Sequence, residues 1–531
     1  MKKIPKNTSR KRFYQFLGER NGRCIFLNRT TPFELLKILK SLPAKSSYGW
    51  DEIPQKLIKS SPFNVLVVLS HIFNLSIDEG IFPEKMKIAK VIPIFKEGKK
   101  TSVENYRPIS LLPVFSKLLE RLIYNRLTSF LKRCNILYEK QFGFRKKHST
   151  SHATAYLSSE ILKTLDKSEK AIGVFMDLSK AFDTINIEIL VEKLNHYGIR
   201  GIANNWFKSY LTGRSQFVSI HSYRSENVCR ILHGVPQGSI LGPLLFSLYI
   251  NDFWKCLKFG EAIMFADDTT IVFKGRSMDI LRPKVNADLA SAADWLAENK
   301  LSLNVKKTKC MIFEMSRSNK FENIICINDK CIEEVKSKKF LGVIFDEKLT
   351  WKEHIKYIIS KLNSCLCATR RARAFLNQSS LFNIYHSLMQ SRIDYCCSTW
   401  AAWEPRGNKV ILQRLQAVCN KFFRLIFKLD RTDSVRSLLK ANNVLNVFQN
   451  YNFNINKVMH KAIHDELPIP LKRSLTIDNE FFFFKACRIK QTEKSMYYAG
   501  PKLWNNLPGE LVEEPSFNKF KTDLKKFILH R

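Results

Sequence analysis

The stretch "AIMFADDTTIVF", Ala262 to Phe273, sets two runs of strand-forming residues around a pair of aspartates, and few folds accommodate it. Successive side chains of a strand point to opposite faces, so runs this apolar need cover from the rest of the chain. Two such runs separated by a short polar pair read as a hairpin with its acids at the turn. A second segment, "AIGVFMDLSKAFDT", has an apolar run from Ala171 to Met176 that stops at Asp177, placing that carboxylate at the end of a buried strand. Aspartate is also a common turn and capping residue, and either site alone reads that way. Together they put three carboxylates at sheet edges, where they repel one another unless cations lie between them. Two Mg2+ ions about 3.5–4 Å apart need bridging oxygens of this kind.

Those acids stand in a strongly basic chain, with 87 Lys and Arg against 48 Asp and Glu and a net charge of +39. The excess is spread along the sequence, which points to a polyanionic partner, since each neutralised phosphate releases counterions. A basic ribosome-like or membrane-surface protein is the competing reading of charge alone. At 531 residues and 45% hydrophobic content the chain has room for more than one folded domain. Its beginning, "MKKIPKNTSRKRFYQFLGER", has no secretory apolar core, and no later segment offers ~18 uncharged apolar residues. An intracellular protein of nucleus or cytoplasm, with no membrane partner, is expected. The 13 cysteines show no C-x2-C spacing and read as reduced, mostly buried thiols.

Periodicity predicts helices in "TPFELLKILKSLP", in "SPFNVLVVLSHIFNLSIDEG" ending before Gly80, and from about His152 to Leu165, with a strand in "KIAKVIPIF". In "VFSKLLERLIYNRLTSFLKR" Phe115, Leu118, Leu119, Leu122, Ile123, Leu127 and Phe130 share one helical face, with Lys117, Arg121 and Lys132 largely opposite. An almost wholly apolar helix is expected from about Ile240. Strands and helices mix up to about Phe345 and helices dominate from Trp351 to about Phe427, so the fold class is α+β. Near the C-terminus, "EFFFFKACRIK" suggests a buried strand flanked by charge.

Five segments occur in series: "VFMDLSKAFDT", "GVPQGSILGPLLFSLYINDF", "MFADD", "LSLNVKKTKCMIF" and "KKFLGVIFD". They resemble the successive palm motifs of the reverse transcriptases of non-LTR (LINE-type) retrotransposons. Upstream, "SSYGWDEIP", "FPEKMKIAKVIPIFKEGKK", "ENYRPISLL" and "QFGFRKKHST" look like finger motifs of those enzymes; downstream, "WKEHI", "LQRLQAVCNKFFRLI" and "YYAGPKLWNNLP" look like their thumb and C-terminal regions. The resemblance implies a right-hand polymerase fold: a basic arm and short helix over 1–45, α/β fingers over 46–170, a palm with an antiparallel sheet over 171–345, a helical thumb over 346–440 and a C-terminal region over 441–531. It implies an RNA-directed DNA polymerase that extends a DNA 3′-hydroxyl on an RNA template from deoxynucleoside triphosphates, with two Mg2+ ions or Mn2+ in their place.

Carried over by motif, Asp177, Asp267 and Asp268 match the metal-binding triad, and the main-chain carbonyl of Leu178 is a further oxygen ligand. Phe182 matches the bulky ring that excludes a 2′-hydroxyl, where an ordinary core aromatic is the alternative. Gln237 and Gly238 are candidates for contacts to the nucleotide and template base, against a plain Gly-Pro turn before a core helix. Arg107 and Lys96 suit the triphosphate, a guanidinium as a two-pronged grip and an ammonium as a point charge, although Lys96 also reads as solvated surface. The pattern Asn304-x-x-Lys307-Thr308 favours Lys307 as proton donor to pyrophosphate, with Lys306 and Lys309 as rivals. Arg145, Lys146 and Lys147 follow Phe142 and Phe144 and suit a template backbone with stacking nearby.

The family usually carries an endonuclease ahead of its polymerase. About 45 residues precede the first finger motif here, too few for such a domain, so target cleavage by this chain is not expected. Two other readings stay open: a catalytically silent nucleic-acid-binding relic, and an intron maturase-type reverse transcriptase.

Overall fold

The computed structural model describes residues 12–179, 181–221, 223–315, 325–327, 330–401, 409–478, 481–483, 486–493 and 495–530. Most of the expected basic arm, residues 1–11, lies outside them. In chain order the elements that matter here are α1 (Pro32–Ser41), α2 (Phe63–Glu79), β1 (Ile88–Phe95), β2 (Tyr106–Leu111), α3 (Val114–Arg133), α4 (Thr150–Asp166), β3 (Lys170–Met176), β4 (Ser215–Ile220), α5 (Gly242–Tyr249), β5 (Glu261–Phe265), β6 (Asp268–Gly275) and β7 (Lys309–Phe313). Helix and sheet are mixed, as an α+β chain requires. Two compact units are formed, the first from 1–144, 177–258 and 288–304, the second from 145–176, 259–287 and 305–531.

In the first unit β1 pairs antiparallel with β2, Lys90 facing Leu111 and Phe95 facing Tyr106, and parallel with β4, Ile88 facing Ser215. Helix α1 starts as its sequence predicts, with Thr31 accepting the Glu34 amide and Pro at the first turn. Helix α3 buries Leu118, Leu119, Leu122, Ile123 and Leu127 as expected, but it also buries Glu120. A second buried charge is saturated on every side. The ammonium of Lys193 donates to the Tyr249 carbonyl at 2.6 Å and to Asp252 at 2.5 Å, while the Trp295 indole N–H donates to the other Asp252 oxygen at 3.0 Å. Buried ions survive in a fold only with such complete partnering.

In the second unit β3 is central, antiparallel to β6 on one side and β7 on the other, and β5 closes a hairpin onto β6. All these ladders are antiparallel; the two-residue edge strand Glu333–Glu334 joins β7 in parallel. Ala171 to Met176 are all buried, so the unbroken apolar run of β3 is explained by neighbours on both edges and α4 packed against it. From Lys352 onward helices predominate. Among the described residues no helix is long and apolar enough to cross a membrane.

Three expectations need correction. The apolar helix expected from about Ile240 runs from Gly242, two residues later, with Ser239 Oγ accepting the Gly242 amide ahead of it. The run at Phe481–Phe483 is a strand, but only Phe482 is buried, because a strand in a lone hairpin with Thr476–Asp478 turns alternate residues outward. Residues 479–480 and 484–485 of that run lie outside the described ones. The thiols are not mostly buried: Cys24, Cys229, Cys331 and Cys367 are exposed and Cys134, Cys326 and Cys487 half-buried.

Candidate functional site

The second unit presents the paired acids. Phe265 faces Asp268 across the hairpin, so Ala266 and Asp267 form a two-residue turn. Ala266 takes φ 57°, a left-handed conformation in which a Cβ costs about 1–2 kcal/mol and where such turns ordinarily use glycine. Strain is thus held at the tip that carries the acids, a common companion of function. Asp267 is half-buried and Asp268 exposed. One ladder inward, Met176 at the end of β3 faces Thr269, and the chain runs from Met176 directly into Asp177.

On the same sheet the lysines before β7 separate. Lys309 pairs with Glu333 and also donates to the Lys306 carbonyl at 2.8 Å, whereas Lys307 is exposed ahead of the strand and its carbonyl receives Lys338. Of the cluster after Phe144, Lys147 forms an ion pair with Glu466 at 3.2 Å and Lys146 is exposed. The His148 ring receives or donates a bond at the Lys146 carbonyl, and burial pushes its pKa down to about 4, with Arg145 acting in the same direction. His152 behaves alike: burial, then Lys461 and His148, lower it to about 4.

The first unit gathers most of the remaining candidates. After Asp177 the main chain is pinned by two bonds, Asn304 N–H to the Asp177 carbonyl at 2.8 Å and Ser179 N–H to the Ser302 carbonyl at 2.9 Å. That bridge leaves the carbonyl of Leu178 unused by its own bonds. The ring of Phe182 stacks on Phe246 at 4.5 Å and meets Phe144 edge-on at 6.1 Å, so two aromatics fix its plane.

Residues 234–241 form a loop tied down along its length. Gly234 donates to the Ile185 carbonyl and Val235 to that of Phe182, at 2.8 and 3.0 Å. A Cβ at Gly234, where φ is 85°, would meet the Phe182 oxygen at 2.8 Å. Gln237 reaches Asp183 with its amide at 2.8 Å and accepts from the Ser110 amide of β2 at 2.7 Å. Gly238 is exposed, has φ 125° and lies so close to β2 that a Cβ would stand 2.5 Å from the Ser110 oxygen. Arg107 is exposed on that same strand opposite Ile94, and Lys96 follows Phe95 at the end of the hairpin.

Sequence reasoning missed the anchor of this loop. The fully buried carboxylate of Glu120 accepts the amides of Ile240 and Leu241 at 2.6 and 3.2 Å and the Ser116 hydroxyl at 3.0 Å. Burial pushes its pKa up, while Arg214 and the donated bonds hold it down. The signal was in the spacing: Ser116, Glu120, Ile123 and Leu127 fall on one helical stripe. Among the described residues, no three His, Cys, Asp or Glu side chains are already arranged as a metal cage.

Comparison with known proteins adds an independent line. Residues 96–345 match the family model described as reverse transcriptase (RNA-dependent DNA polymerase). Over 366 residues the chain is 31% identical to a probable RNA-directed DNA polymerase from transposon BS of Drosophila melanogaster, covering 66% of this chain and 39% of that protein. It is 30% identical over 388 residues to the RNA-directed DNA polymerase from the mobile element jockey of the same fly, 70% of this chain and 41% of the relative. A Pol polyprotein from the type-1 retrotransposable element R1 of Bradysia coprophila is 25% identical over 380 residues, 69% of this chain and 37% of the relative. The chain spans about two fifths of the length of the curated relatives it matches. Residues 96–345 are thus a reverse transcriptase domain, and with it the chain belongs among the proteins of non-LTR retrotransposons.

Proposed function

We propose that this chain is an RNA-directed DNA polymerase that extends a DNA 3′-hydroxyl on an RNA template, with deoxynucleoside triphosphates as substrates, as a step of retrotransposition. The observation that carries the reading is the β5–β6 hairpin, which displays Asp267 and Asp268 beside the strand that runs into Asp177, within the matched domain. In this reading 46–170 are fingers, 171–345 the palm and 346–440 the thumb.

Asp177, Asp267, Asp268 and the carbonyl of Leu178 all offer oxygen, the donor that suits hard ions such as Mg2+, or Mn2+ in its place. Such ions, when bound, supply the positive charge that acidifies the primer hydroxyl and neutralises the leaving pyrophosphate. The chain's own groups do the rest. Arg107 and Lys96 grip triphosphate oxygens, and Lys307 donates the proton that pyrophosphate needs. Phe182, held flat by Phe246, closes the space beside the sugar; Gln237 and Gly238 support nucleotide and template base. Arg145, Lys146 and Lys147 lie along the template backbone.

Primer extension on RNA tests this. The purified chain should yield full-length labelled DNA, and Asp267→Ala should lower synthesis by about a thousand-fold or more, because ligands that act as a unit fail together. Equal synthesis by the variant would refute the assignment. RNA binding with no synthesis by either form would favour the silent relic.

A further inference from the structure

We propose that Glu120 is a positioning residue for the incoming nucleotide: from α3 it fixes the main chain at Ile240 and Leu241 and thereby sets where Gln237 and Gly238 lie against β2. The inference rests on the polymerase reading above and adds to it a residue that touches neither substrate nor metal.

A carboxylate with no solvent exposure loses its hydration, and the fold offsets that through the Arg214 cation and through bonds given to the charge. Glu120 receives three, two of them from consecutive backbone amides that precede α5 and would otherwise lack acceptors in the interior. An apolar residue of similar size would fill the same stripe of α3 without the desolvation penalty, so a plain packing role does not explain a charge here.

What the bonds achieve is direction. Ser239 already holds the Gly242 amide at 2.9 Å, and Ser110 holds the Gln237 carbonyl at 2.7 Å. Between these points Ser239 turns back onto the Pro236 carbonyl, and the amides of Ile240 and Leu241, which follow it, both end on one oxygen of Glu120. The segment from Gln237 to Gly242 is therefore strung between β2 and α3. Gly238, which tolerates no Cβ against the Ser110 carbonyl, marks how tightly that spacing is drawn.

Two variants of the full chain decide the matter. Glu120→Met keeps the length and removes the acceptor; Glu120→Gln keeps an acceptor oxygen. In Glu120→Met, hydrogen exchange at the peptide containing Ile240 and Leu241 should quicken and KM for deoxynucleotide should rise, each about ten-fold, with kcat changed less than about two-fold. Glu120→Gln should stay near wild type in both readouts. Unchanged exchange and KM in a folded Glu120→Met would overturn the proposal, as would an equal defect in Glu120→Gln. Should Glu120→Met fail to fold, Ser116→Ala, which releases the other carboxylate oxygen, should move both readouts in the same direction, and no movement in either overturns it. Exchange is read without catalysis, so a wild type that makes no DNA defeats the polymerase reading alone.

Discussion

Glu120 and Asp252 on one side, and the Asp267–Asp268 pair on the other, show two opposite uses of a carboxylate in one chain. The first two are wholly buried and saturated with backbone amides, a serine, a lysine and an indole. The second two stand at the tip of a hairpin, one half-buried and one exposed, on a turn that holds Ala266 in a left-handed conformation. A charge that organises the fold gives up access to solvent in return for fixed partners. A charge proposed for phosphate chemistry must remain reachable, and these two stand where a strand ladder carries them to the tip.

The contrast can be broken on the stability axis, starting with its largest effect. Lys193→Met leaves Asp252 buried without its cation and should cost about 3–5 kcal/mol in urea unfolding; the double variant with Asp252→Asn should recover more than half. A single-variant loss below about 1 kcal/mol would remove the account of saturated charge. His354 sharpens the contrast as a buried group kept neutral. Its Nδ1 accepts the Ile344 amide at 3.3 Å, and burial, followed by Lys339, lowers its pKa from 6.5 to about 4. Because the folded value is the depressed one, its contribution is whole above pH 6.5 and is lost as pH falls towards 4. Relative to His354→Phe, the wild type should lose about 1–2 kcal/mol of unfolding free energy between about pH 6.5 and 5. Asp268→Asn should be the smallest, within about 0.5 kcal/mol by the same measurement, while primer extension falls. A larger destabilisation would mean that the exposed acid holds the fold as the buried ones do.

These differences also explain what could be read from sequence. Local rules sufficed where the cause is local: the Thr31-Pro32 helix start, the unbroken run of β3 and the β5–β6 turn all follow from neighbours in the chain. They failed where the cause is distant. Nothing near Ile240 says that its amide and that of Leu241 end on Glu120, 120 residues away. Nothing near "NVKKTK" says that Glu333 takes Lys309 and leaves Lys307 exposed. The phenylalanines at 481–483 look alike, yet only pairing with Thr476–Asp478 determines which one turns inward. For the proposed site, the motifs nominated the residues, whereas the strain at Ala266 and the tethering of the 234–241 loop were invisible until backbone geometry was known.

The order of the strands in the second sheet has a consequence for biosynthesis. Strand β3 leaves the ribosome long before either neighbour, since β6 begins at Asp268 and β7 at Lys309. At about 5–20 residues per second the wait for β6 is on the order of ten seconds, during which an apolar ribbon has neither edge satisfied. Helix α4, made just before β3 and packed against it, is an early element able to shield it. Nascent chains that stall between α4 and β6 are therefore the natural clients of a holding chaperone, and the natural seeds of aggregates.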